Sequence, residues 1–215
     1  LLVFGPQYFD PEQWAELRSA FTTDPWFHTL PHLAKKHGAD GPFGWPPVSG
    51  GKSVSEAAWK GELTKLYSRE DAVIGLAFPG FHDIYSEAGL HSSYGFIGDR
   101  DGATFRDSLE MALESDSKLI QIATWNDYGE GTVIEPTDKL GYRYLEMVQK
   151  EAGPKGASLE DLRLPALLYR LRKQRNGAPE LDEAAEALFA MDPVKAAEIL
   201  RELDTKTETT PAFFI

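Results

Sequence analysis

Residues 118–136 read KLIQIATWNDYGEGTVIEP, and they decide the fold. The first part, Lys118–Trp125, is apolar almost without interruption, the pattern of a strand buried on both faces. Two more segments share it, Leu1–Phe4 (LLVF) and Ala72–Phe78 (AVIGLAF). Helical patterns separate the three. Asp10-Pro11-Glu12-Gln13 supplies a cap, a first-turn proline and a reciprocal glutamine, predicting a helix to about Phe21. Ser53-Val54-Ser55-Glu56 reads as a capping box for a helix to about Tyr67. Thr104–Glu114 carries an apolar stripe, and Gly141 to about Glu151 gives a further helix. Strands and helices alternating in this way mean parallel strands joined by crossovers.

An open doubly wound sheet and a (β/α)8 barrel both offer that order. The loops after the strands are long and rich in aromatic and acidic residues, as at the catalytic face of a barrel. No glycine-rich phosphate turn follows any strand, which weakens a dinucleotide-binding sheet. The expected fold is therefore α/β and (β/α)8 TIM-barrel-like, with residues 1–153 forming C-terminal βα units of a barrel that begins upstream. From Pro154 the pattern changes to short capped helices. Ser158 opens one to about Lys173, interrupted by Pro165; Asn176–Pro179 is a break; Leu181–Met191 and Pro193–Leu203 form a pair. Residues 154–215 thus read as a helical appendage, ending in the apolar Phe213-Phe214-Ile215.

The chain has 215 residues, with 22 Lys and Arg against 34 Asp and Glu, a net charge of −12. That balance argues against nucleic acid as a partner, because phosphate binding needs a basic footprint. No apolar run approaches the roughly 18 residues of a membrane span, so membrane insertion is not expected. The absence of cysteine excludes disulfides, thiol catalysis and cysteine-based metal sites. The chain reads as beginning part-way through a larger fold, so any targeting segment would lie upstream, and the compartment and the oligomeric state stay open.

Asp127 and Glu130 stand immediately beyond a buried strand, where barrel enzymes keep catalytic groups, with Glu135 five residues on. Two carboxylates beside aromatic rings suit glycoside hydrolysis, one protonating the leaving oxygen and the other acting as base or nucleophile. The alternative is that these acids cap turns or form ion pairs. The chemistry requires no metal and no organic cofactor. Gly51-Lys52-Ser53 lacks the strand and the first glycine of a phosphate loop, and Pro31 breaks the helix that would align His28, His32 and His37 on a metal.

The segment TWNDYGE resembles the signature of glycoside hydrolase family 71, the α-1,3-glucanases, and EGTVIEP resembles family 99, the endo-acting α-mannosidases and α-mannanases. Pro79-Gly80-Phe81-His82-Asp83 and Asp99-Arg100-Asp101-Gly102 are similar to further family 99 segments, and the resemblance covers roughly residues 1–152. It implies a barrel acting on α-linked oligosaccharides or polysaccharides. It also favours an exported protein. By position Glu130 matches the general acid and Asp127 the partner carboxylate, which in family 99 assists the sugar's own 2-hydroxyl. Family 99 has Asn-Glu-Trp-His-Glu where this chain has Asn126-Asp127-Tyr128-Gly129-Glu130, and the shorter Asp127 and the missing His set it apart.

Around the pair, Asn126 is placed to bond a sugar hydroxyl or to stabilise a turn, and Trp125 and Tyr128 to stack on a pyranose or to pack. His82, Asp83 and Tyr8 follow other strands and are candidate substrate contacts. Arg100 is a candidate for sugar hydroxyls or for an ion pair, and Trp45, in the irregular segment 41–47, for a sugar platform. Two other readings stay open: a carbohydrate-binding barrel without efficient catalysis, and an interaction module built on the C-terminal helices.

Overall fold

In the computed structural model, residues 1–69, 71–153, 156–175 and 177–208 are described, the side chains of 206–208 excepted. Pro154, Asn176 and the 213–215 tail lie outside them. The described chain divides into two compact units, Leu1–Leu140 and Gly141–Ile215.

The first unit is built on parallel strands taken in chain order. Strand β1 (Leu2–Val3) pairs with β2 (His28–Thr29), and β2 with β3 (Gly41–Pro42). A parallel bridge from Phe43 to Ile74 carries the sheet on to β5 (Ile74–Ala77), which pairs with β8 (Leu119–Ile122). Five parallel neighbours in sequence order form part of a (β/α)8-like sheet, not the reversed order of a doubly wound one. β2 and β3 are additions to the three strands expected. Each is two residues long, and Gly41-Pro42, expected to be irregular, is a strand because its neighbours supply the ladder.

Helices take the crossovers as expected, with one shift. Helix α1 (Pro11–Ser19) has the capping box, with Gln13 N bonded to Asp10 Oδ1 at 2.8 Å and Asp10 N to Gln13 Oε1 at 2.9 Å. Helix α2 (Glu56–Tyr67) is capped by Ser55, not Ser53, because Ser53 is already paired in strand β4 (Lys52–Ser53). Helix α3 (Ala103–Glu114) lies so close to β5 that a Cβ on Gly75 would stand 3.3 Å from the Ala112 methyl. Trp59, Leu63 and Leu66 of α2 join Leu76, Phe78, Phe81, Ile97 and Ala123 in one buried cluster. Fully burying each such side chain stabilises by about 1.5–3 kcal/mol relative to exposure.

Two connections leave the C-terminal ends of the strands and build the site. The one after β5 carries β6 (Phe81–His82) and β7 (Gly95–Ile97), which pair antiparallel, while β4 joins β7 in parallel. The other follows β8. Ser108 on α3 fixes the first of them: its buried hydroxyl accepts from Phe78 N at 3.0 Å, where β5 ends.

The second unit contains α4 (Arg143–Ala152), α5 (Leu164–Gln174), α6 (Pro179–Phe189) and α7 (Pro193–Glu208). Pro165 opens α5 and does not interrupt it. Its missing N–H falls in the first turn, where no intrahelical bond is lost. Leu164, Leu168, Leu171, Leu181 and Leu200 pack with alanines of α6 and α7 into a core of their own. No described helix is long and apolar enough to cross a membrane.

Candidate active site

The loop after β8 is stitched to the loop after β5 by main-chain bonds on both sides of Glu130. His82 N donates to Glu130 O at 2.8 Å, and Ile84 N donates to Gly129 O at 3.0 Å. Gly131 permits this approach. Its φ is +65°, and a Cβ there would lie 2.9 Å from the His82 carbonyl oxygen. Within the loop, Thr124 Oγ1 accepts from Asp127 N at 2.9 Å, and Asp127 Oδ1 accepts from Glu130 N at 3.0 Å. One oxygen of Asp127 therefore holds the turn that carries Glu130, as in other Asp-stabilised turns.

Glu130 is buried, with 9% of its surface exposed. Its Oε1 accepts the Tyr85 hydroxyl at 3.2 Å, and its Oε2 is buried without a hydrogen-bond partner. Burial raises its pKa above the ordinary 4.5, and the negative charge of Asp127 adds to the rise. The Tyr85 bond opposes, Asp83 adds further, and the Trp45 side chain gives the smallest opposing effect. Tyr85 is itself pushed up to about 12, by burial first and by Glu130 second, so it remains a donor. The arrangement favours the protonated form of one carboxyl beside a second carboxylate, the polarity that acid catalysis of glycosidic cleavage needs.

The structure brings Glu130, Asp127, Asp83 and Trp45 together. Asp83 is buried; its Oδ2 accepts from Tyr94 N at 2.7 Å and Ser93 Oγ at 3.1 Å, while Oδ1 has no partner. Trp45 also packs edge-on against Phe4, centroids 4.6 Å apart. Trp125 and Tyr128 are 52% and 59% exposed, and Asn126, between Trp125 and Asp127, is exposed as well. The Tyr128 hydroxyl donates to Glu135, which ties that carboxylate to the loop. His82 is exposed, edge-on to Phe96 at 5.3 Å.

For Arg100 the ion pair, one of its two readings, is what the structure shows. Arg100 pairs with Glu56 of α2 at 3.0 Å and Asp107 of α3 at 3.1 Å, so its charge joins two helices. Tyr8, in the short helical turn Pro6–Tyr8, is 82% exposed. The residue that sequence reading missed is Tyr85. Nothing in local spacing marks it, because it reaches Glu130 only through the pairing of two loops 45 residues apart. Among the described residues, no group of three or more His, Asp or Glu is arranged to hold a metal ion.

Residues 97–148 match the family described as Glycosyltransferase WbsX. No curated protein matches the chain. Among solved structures, the GH99 endo-α-mannosidase of Bacteroides thetaiotaomicron in complex with bis-tris propane is similar at 21% identity, over 67% of this chain and 55% of that one, with a TM-score of 0.46. A second structure of the GH99 endo-α-mannosidase from that species gives 21%, 73% and 55%, with a TM-score of 0.48. A glycoside hydrolase-like protein gives 16%, 69% and 49%, with a TM-score of 0.43. The chain thus spans about half the length of the structures it matches. The family match is confined to residues 97–148, a segment that contains the TWNDYGE motif, and over it the chain is similar to the WbsX family.

Proposed function

We propose that this chain carries the acid side of a glycoside hydrolase site for α-linked glycans of the α-mannan or α-1,3-glucan type. The observation that carries the reading is Glu130, buried with raised proton affinity, on a turn held by a second carboxylate at the C-terminal end of a parallel strand. Glu130 gives its proton to the glycosidic oxygen as the bond from the anomeric carbon breaks. Asp127 takes the proton from the attacking hydroxyl, whether of water or of the sugar's own 2-position. The exposed rings of Trp125 and Tyr128 offer pyranose-stacking faces beside the pair, and Asn126 a hydroxyl contact.

The test is reducing-end release from a panel of α-linked polysaccharides by the wild-type protein and by Glu130→Gln. Release that disappears in the variant supports hydrolysis and names the glycan. Activity that survives in Glu130→Gln overturns the assignment. The matched WbsX family is described as a glycosyltransferase, so a second reading is transfer of the glycosyl group to a sugar acceptor. Products lengthened by one sugar, with no new reducing ends, would favour it.

A further inference from the structure

We propose that Tyr85 is a positioning residue for Glu130: by holding Oε1, it leaves Oε2 to carry the catalytic proton. This rests on the reading of Glu130 as the acid. A protonated carboxyl has one hydroxyl oxygen and one carbonyl oxygen, and only the first can donate. The Tyr85 hydroxyl needs an acceptor and meets Oε1 at 3.2 Å. Oε1 is therefore the carbonyl oxygen of the acid, and the proton belongs on Oε2. Oε2 is buried and accepts no hydrogen bond in the structure, and the Trp45 side chain is the other neighbour that favours the Glu130 anion.

The loop that presents Tyr85 is built to keep it in place. Asp83 Oδ2 closes the loop by accepting from Tyr94 N and Ser93 Oγ, and Ser93 Oγ accepts in turn from Gly95 N at 3.1 Å. Inside, Ala88 N bonds Ile84 O at 2.8 Å and Leu90 N bonds Tyr85 O at 2.9 Å, making a compact turn. The Tyr85 ring is wedged between His91, centroids 4.5 Å apart, and Tyr94, centroids 5.6 Å apart. The main-chain bonds from His82 and Ile84 fix this loop to the backbone of residues 129 and 130. Two loops are locked in register, and the one side-chain bond between them that reaches the acid is the Tyr85 hydroxyl.

The consequence can be read without turnover. The ionisable groups facing Glu130 are Asp127 on its own loop and Asp83 and Tyr85 on the loop after β5; His91 lies against Tyr85. Asp127 and Asp83 disfavour the Glu130 anion, and the Tyr85 hydroxyl favours it. Tyr85→Phe keeps the ring contacts with His91 and Tyr94 and removes only the hydroxyl. The experiment is a carbon-13 carboxyl titration of glutamate-labelled protein, with the Glu130 signal assigned by its loss in Glu130→Gln. The expected result is a Glu130 midpoint at higher pH in Tyr85→Phe than in wild type. On a hydrolysed glycan, kcat should fall about tenfold while KM changes less than twofold, because a misaligned acid weakens only the transition state. An unmoved or lowered midpoint would overturn the proposal, as would a loss confined to KM. A raised midpoint in a protein that hydrolyses no glycan would retain the Tyr85–Glu130 link and reject the hydrolase reading.

Discussion

Replacing Glu130 by Gln should stabilise the protein at pH values where Glu130 is ionised, and the size of the gain follows from two oxygens. When ionised, the buried carboxylate accepts one hydrogen bond, from Tyr85 on Oε1, and none on Oε2. An unsatisfied buried polar group costs about 1–3 kcal/mol, and more if charged. Gln keeps the shape and the Tyr85 bond but removes the charge; its amide leaves an unsatisfied donor, which returns part of the gain. A net stabilisation of about 1–2 kcal/mol remains, and for a chain of this length each kcal/mol raises Tm by about 2–4 °C. The sign is set by linkage. Because the folded pKa of Glu130 lies above the unfolded 4.5, its contribution is full below pH 4.5 and is lost as pH rises through the folded value. The gain from Gln should therefore be absent at pH 4 and grow as pH rises above 4.5 through the folded pKa. Circular-dichroism melts of wild type and variant at pH 4, 5.5 and 7 read it directly. An equal gain at all three values, or a less stable variant at pH 7, would refute the reasoning.

Two other perturbations test the frame around the acid. His28 on β2 is buried and its pKa is lowered, by burial first, so the folded chain takes up this proton less readily than the unfolded one, whose histidine titrates near 6.5. Stability should fall as pH drops from 7 toward 5, and His28→Gln should flatten that part of a denaturation-versus-pH curve; an unchanged slope would count against it. Gly131→Ala puts a Cβ at positive φ and 2.9 Å from the His82 carbonyl, which should cost about 1–2 kcal/mol in left-handed strain alone. Because the same contact joins the two site loops, kcat/KM should fall with Tm, and a variant that melts as wild type would contradict the loop assignment.

The parts legible in the sequence are those that carry their reason locally. β5 is a buried apolar run, β8 is apolar but for Gln121, and α1 announces itself through Asp10, Pro11 and Gln13. β2 and β3 do not. His28-Thr29 and Gly41-Pro42 have no period to read in two residues, and Gly and Pro argue against a strand until the neighbours' ladder is in place. Ser53 and Ser55 are both good caps, and only the pairing of β4 with β7 decides between them. In the site the same division holds. Asp127 and Glu130 share one turn and are visible together. Tyr85 and the fate of Arg100 depend on contacts between loops and helices far apart in the chain, which spacing cannot carry.

The most direct test of Glu130 as general acid compares two α-glycosides of the same sugar, one with a natural sugar leaving group and one with an activated aryl group. An activated leaving group departs without protonation, so it does not need the acid. Glu130→Gln should lose at least about a hundredfold on the sugar-linked substrate yet remain within about tenfold of wild type on the aryl glycoside. Equal losses on both substrates, or none on either, would contradict the account.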